Sequence, residues 1–145
     1  MIVCADEGDI PAIGRLLVEM HQSSGLDMPP LSPGKIEATL EDVLATGIIF
    51  LGMRNGEVAG VLALKEASHW FSEGRFFGDV VFYVGLKHRQ SALGPQLLRR
   101  ASRYAKMRGL PLLMAVVNGV DVDRKDKLYK RLGFRHIGGV YSRGI

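Results

Sequence analysis

Residues 79–98 read Asp79-Val80-Val81-Phe82-Tyr83-Val84-Gly85-Leu86-Lys87-His88-Arg89-Gln90-Ser91-Ala92-Leu93-Gly94-Pro95-Gln96-Leu97-Leu98. An apolar run passes into small and basic residues. Pro95 then opens a stretch whose apolar positions, Leu97, Leu98, Ala101, Tyr104 and Ala105, recur at helical spacing. This predicts a buried strand Phe76–Val84, a loop, and a helix from Pro95 to about Arg108. Such an assembly suits phosphate, because unpaired N–H groups and the positive end of the helix dipole face the loop. Ala92 and Gly94 let an anion come close to the backbone, and Arg89 adds a charge-assisted donor. No Gly-Lys-Ser/Thr follows and G-x-G-x-x-G is absent, so this is neither a Walker loop nor a dinucleotide fingerprint. From these residues alone, an ordinary strand–loop–helix connection accounts for the stretch equally well.

The charge around it is uneven. From Val80 to Val120 there is none of the chain's 15 Asp and Glu, while seven of its 19 Lys and Arg fall there, from Lys87 to Arg108. The net charge of +4 is therefore concentrated in one block, and the rest of the chain is mildly acidic. Either the block holds an anionic ligand or it is a solvated helix face. A length of 145 residues fits one domain spanning 1–145. With 47% apolar and 23% charged residues, the chain is not intrinsically disordered. One cysteine, Cys4, excludes an intrachain disulfide framework and fits a reducing cytoplasm. No apolar run approaches the roughly 20 residues of a membrane span. Met1 to Glu7 predicts a first strand rather than an export signal, so the expected location is cytoplasmic.

Working outward, Ile2–Ala5 reads as a strand and Asp9 as the cap of a helix running to Met20. Residues 21–30 form a loop, and Ser32-Pro33 opens a second helix to about Ala45. Ile48–Arg54 and Glu57–Lys65 flank Asn55-Gly56, a hairpin signature. Beyond the central stretch, Pro111–Val117 is a fully apolar strand. Asp123 caps a helix to Leu132, with Asp126 at the capping-box position and Gly133 as the stop. Phe134–Tyr141 is a last strand, bent at Gly138-Gly139. The order is β-α-α-β-β-β-α-β-α-β, an α/β class with a mixed sheet.

At this point the residues resemble the GNAT superfamily of N-acetyltransferases. Arg89-Gln90-Ser91-Ala92-Leu93-Gly94 is similar to that family's Q/R-x-x-G-x-G/A, with Ala92 where the first Gly stands. Leu97-Leu98 matches the Leu pair of the next helix, and Val84 the Val ending the fourth strand. Leu128-Tyr129-Lys130-Arg131-Leu132-Gly133-Phe134 resembles L-Y-x-x-L-G-F, and Asn118 the Asn after the fifth strand. The element order matches as well, so the likeness covers nearly the whole chain. Pro95 removes one N–H from the helix start, and only eleven residues follow Phe134, where many relatives have room for two strands.

The resemblance implies a fold with a splay between the fourth and fifth strands, in which pantetheine lies. It implies acetyl-CoA as co-substrate, an amine acceptor, and direct transfer in a ternary complex. Phe82 and Val84 would hold the pantetheine and polarise the thioester carbonyl. Arg89, Gln90, Ser91, Ala92, Leu93, Gly94 and Pro95 would take the pyrophosphate, with Asn118 nearby. Tyr129 would protonate the leaving thiolate, unless its ring merely packs on the core. Asp79 is the one acid near the fourth strand and the candidate base. It is one residue out of phase with the family's position, so it needs a bulge, and otherwise it is an edge carboxylate in solvent. Glu73 and His88 are lesser candidates.

The four histidines lack ligand spacing, so no metal is expected. His21 stands at the mouth of the first loop. Trp70-Phe71 either lines an acceptor pocket or anchors a loop to the core, and Cys4 is expected to be buried. A non-catalytic acetyl-CoA sensor on the same fold is the alternative function. A nucleic-acid module is disfavoured because the basic block lacks interleaved exposed aromatics beyond Tyr104 and its helix bases fit an ordinary solvated face. The open-edged final strand could pair across a homodimer.

Overall fold

The computed structural model describes residues 1–115 and 119–144. Five strands form one sheet in the order β1-β2-β3-β4-β5: β1 Ile2–Cys4, β2 Gly47–Arg54, β3 Glu57–Ser68, β4 Arg75–Val84 and β5 Leu112–Leu113. The first four pair antiparallel, and β5 joins β4 in parallel. Four α-helices accompany them: α1 Ile10–Gln22, α2 Pro33–Thr46, α3 Leu93–Met107 and α4 Val122–Arg131.

Period-2 alternation sorts the sheet's side chains into two cores. Ile49, Leu51, Val61, Ala63 and Tyr83 pack with α1 and α2. Phe50, Leu62, Leu64 and Phe77 pack with Leu97, Leu98 and Ala101 of α3 on the other face. Helices on both faces explain why β2 and β3 read as near-continuous apolar runs. The hairpin forms at Asn55-Gly56, both with positive φ as a type I′ turn requires.

Several boundaries differ from the sequence reading. Asp6, not Asp9, caps the first helical segment. Its side chain accepts from Gly8 N–H while Asp9 reaches back to Asp6 N–H, a reciprocal box that starts a short 3₁₀ turn. Helix α3 begins at Leu93, two residues before Pro95. Helix α4 begins at Val122 behind Asp121, whose φ of 49° is left-handed and whose side chain makes no capping bond. Asp123 therefore lies inside the first turn, and Asp126 pairs forward with Lys130 at 2.8 Å instead of back onto a cap. Gly133, at φ 91°, does stop α4. There Gly133 N–H bonds Lys130 O and Phe134 N–H bonds Tyr129 O, a Schellman closure.

The predicted fifth strand is far shorter than Pro111–Val117, although Val116 and Val117 lie outside the described residues. After Leu113 the ladder is interrupted, because Ala115 N–H is taken by the Asp79 carboxylate at 3.0 Å. The predicted last strand does not form among residues 134–144. Phe134 packs on Tyr129, but Ile137, Val140 and Tyr141 stay exposed, and β5 is two residues long among the described residues. The strand on which pairing across a homodimer was premised is thus missing. Cys4 is exposed rather than buried, since β1 is the sheet's edge. Trp70 is 96% exposed and Phe71 68% at the β3–β4 turn, so neither lines a pocket nor anchors a loop.

Candidate active-site cleft

Pairing between β4 and β5 covers only Phe77↔Leu112 and Gly78↔Leu113. From Asp79 to Val84, β4 has no strand partner on that side among the described residues. The parting of the two strands opens a cleft of about 1410 Å³. Its floor is Asp79–Val84, and its sides are the Arg89–Pro95 turn, α4, and the loop joining α1 to α2. That loop comes close to the segment before α4: a Cβ on Gly25 would stand 3.0 Å from Gly119 O, a tight contact that glycine avoids.

The bulge that Asp79 needs is present. Ala63 pairs with Val81 and Leu64 with Asp79, which leaves Val80 as the extra residue. The insertion sets Asp79 on the same face as Phe82 and Val84, the face on which α3 and Tyr129 pack. Burial raises the Asp79 pKa above its ordinary 3.8, and the hydrogen bond from Ala115 N–H opposes the shift. Tyr129 lines the cleft, with its ring edge-on to Phe82 and Phe134 at centroid distances of 6.4 and 5.3 Å. The ring thus packs on the core while the residue also lines the cleft. Its hydroxyl makes no hydrogen bond to any described residue, and burial followed by the Asp79 charge pushes its pKa well above the tyrosine range.

The loop before α3 is held by its own side chains. Ser91 Oγ donates to His88 O at 2.6 Å and accepts from Leu93 N–H at 3.3 Å. Pro95 has no N–H, and Gln96 N–H bonds Ala92 O. Among the described residues, Gly94 thus carries the one amide of this first turn without a partner. Ala92 has φ −80°, so the Ala-for-Gly departure carries no backbone strain. Gln90, Ser91, Gly94 and Pro95 line the cleft. Ala92 does not, and the Leu93 side chain is fully buried in the core, so only the backbone of Leu93 could meet a ligand. Asn118 lies outside the described residues.

Arg89 lies over the Tyr83 ring, 5.1 Å from its centroid, and its Nε donates to Val84 O at 3.3 Å. The Tyr83 hydroxyl donates to Glu19 Oε2 at 2.9 Å and stands 3.3 Å from Ser23 Oγ. Glu19 Oε2 also accepts Leu86 N–H at 3.1 Å, so one carboxylate ties α1 to both ends of the turn leaving β4. Lys125 faces the same space. Burial lowers its pKa, the Arg89 charge lowers it further, and Asp121 opposes both.

Glu19, Tyr83 and Lys125 were not found by sequence reasoning. Lys125 stands one helical turn before Tyr129, a spacing that puts both on one face and was a usable signal. Glu19 and Tyr83 meet across 64 residues, which no local pattern reveals. Of the lesser candidates, Glu73 and His88 do not line the cleft, whereas His21 does, with its Nε2 2.7 Å from Pro29 O. No group of three His, Cys, Asp or Glu among the described residues could share a metal ion, and no described helix is long and apolar enough to cross a membrane.

The model of the acetyltransferase (GNAT) family matches residues 16–134. Solved structures of similar shape include a predicted acetyltransferase with acetyl-CoA from Clostridium acetobutylicum, 15% identical, TM-score 0.78, covering 99% of this chain and 95% of that one. An aminoglycoside 6'-N-acetyltransferase from Acinetobacter haemolyticus is 18% identical, TM-score 0.71, with 100% and 99% covered. A ribosomal-protein-alanine N-acetyltransferase from Brucella melitensis biovar Abortus is 16% identical, TM-score 0.73, with 100% and 99% covered. No curated protein matches the chain.

Proposed function

The chain belongs to the GNAT acetyltransferase family, and on that premise we propose that it transfers the acetyl group of acetyl-CoA directly to an amine in a ternary complex, as one domain acting in the cytoplasm. The observation that carries this is the parting of β5 from β4 after Gly78, which opens a cleft containing the partly buried Asp79 carboxylate and the Tyr129 hydroxyl, which has no hydrogen-bond partner among the described residues.

Acetyl-CoA, when bound, supplies a thioester carbon open to attack. Its phosphates suit the side where Arg89 and Lys125 repel one another, since an anion between them relieves that repulsion. The Gly94 amide at the start of α3 adds a donor with the helix dipole behind it. Phe82 and Val84 offer backbone groups for pantetheine, and Gln90, Ser91 and Pro95 shape the turn. Arg89 would leave Val84 O to reach a phosphate.

Asp79 takes a proton from the acceptor ammonium, which frees the nitrogen lone pair. A C–N bond then forms as the C–S bond breaks, and Tyr129 donates to the departing sulfur. The second proton shed by nitrogen restores Tyr129. At rest burial, and to a lesser extent the Asp79 charge, makes Tyr129 a weak acid. Once Asp79 holds the amine's proton that charge is gone, and Tyr129 becomes a better donor at the moment sulfur needs one.

Two measurements test the reading. Acetyl-CoA at about 100 times its Kd should stabilise the fold by about 2.7 kcal/mol, and thiol should appear only when an amine is added. Absence of a thermal shift at millimolar acetyl-CoA would sink the proposal. Binding without thiol release across a broad amine panel would leave the sensor alternative.

A further inference from the structure

We propose that the half of the cleft away from the Arg89–Pro95 turn takes a primary amine bearing a single positive charge on an apolar body, and rejects polyamines and aminoglycosides. The inference rests on the acetyltransfer reading above.

The polar groups of that half are already engaged. His21 Nε2 is 2.7 Å from Pro29 O, and Ser24 Oγ accepts Leu26 N–H at 3.2 Å. Glu19 does not line the cleft, and its Oε2 is shared by Tyr83 OH and Leu86 N–H. What remains exposed to a ligand is largely Met20, Met28, Pro29, Leu31 and Val81, an apolar wall. Asp79 is the one carboxylate on the floor. The two other acids of the lining, Asp121 and Asp123, stand at the start of α4 among Arg124, Lys125 and Lys127. With Arg89 and Arg131 the lining has more cations than anions. One ammonium therefore meets one carboxylate. A second would lose its water against methionine and leucine, or meet a positive field, and an unpaired cation in such a place is strongly disfavoured. An apolar body in the same place gains by burial.

The experiment measures kcat/KM by thiol release for 2-phenylethylamine, spermidine and kanamycin at saturating acetyl-CoA, alongside the acetyl-CoA thermal shift. Phenylethylamine should exceed both polycations by at least about tenfold, the lower end of discrimination by an apolar pocket. Met28 is 42% exposed on its loop, so Met28→Glu should fold. It should lower kcat/KM for phenylethylamine about tenfold or more, narrow the gap to spermidine, and keep the acetyl-CoA shift. Spermidine or kanamycin turned over as well as phenylethylamine overturns the inference. So does turnover of none of the three while acetyl-CoA still binds, or a Met28→Glu enzyme with an unchanged preference. A missing acetyl-CoA shift overturns the underlying reading, and this one with it.

Discussion

Asp79 and Tyr129 are coupled through charge. Tyr129 is held in its protonated form by burial and by its anionic neighbour, and its hydroxyl has no hydrogen bond to a described residue. Tyr129 lines the cleft, so this protonated hydroxyl is open to a ligand there. Tyr129→Phe removes that donor while the ring contacts to Phe82 and Phe134 persist. The variant should bind acetyl-CoA as the wild type does and turn over an amine about 10²–10⁴-fold more slowly. If the two enzymes run at equal rates on the same amine, the hydroxyl has no part in the chemistry and the ring alone explains the residue.

Between elements, junctions decide more than interiors do. The cleft takes its form where β4 gains one residue at Val80 and where the described ladder to β5 ends at the Asp79 side chain, which accepts Ala115 N–H. The need for a bulge was legible from the one-residue phase slip of Asp79. The stop was not, because it depends on a carboxylate meeting an amide 36 residues away. Helix and strand interiors followed their periodicity, and Asn55-Gly56 and Gly133 behaved as their φ requires. Phe134–Tyr141 failed because alternation makes a strand only where an edge is there to receive it. The join from α2 to β2 offers a test. A Cβ at Gly47 would overlap the carbonyl oxygen of Leu64 on β3, so only glycine lets the helix end directly into the paired strand. Gly47→Ala should destabilise the protein by about 1–3 kcal/mol, the range for overpacking, visible as a lower urea midpoint. An unchanged midpoint would show that the β2–β3 ladder shifts to admit the methyl.

At the scale of the whole molecule, two apolar cores hold a sheet whose one open flank is where ionisable groups are partly buried. That division was visible in the sequence as an acid-free basic block beside a single strand acid. The α4 partner, Lys125, could have been read from its helical spacing to Tyr129, whereas the α1 partner, Glu19, was invisible, since folding alone brings it to Tyr83. Such a flank costs stability, and the cost has a pH signature. Burial raises the folded-state pKa of Asp79 above the ordinary 3.8, so the folded protein holds this proton more tightly than the unfolded chain. The stability this provides is fully present below about pH 4, the ordinary carboxylate range, and is lost as pH rises through the folded pKa. At neutral pH the native state carries a charge its surroundings disfavour. Asp79→Asn removes that charge, yet its amide oxygen can still accept Ala115 N–H. The variant should therefore melt higher than wild type at pH 7.5, and the two should converge as pH falls toward 4. Its turnover should drop about 10²–10⁴-fold, the contribution of a positioned base. A gain in stability joined to a loss of rate marks a carboxylate kept for its chemistry. Equal melting points at pH 7.5, or a variant that is both more stable and fully active, would instead make Asp79 a strand-end carboxylate whose one task is to hold Ala115.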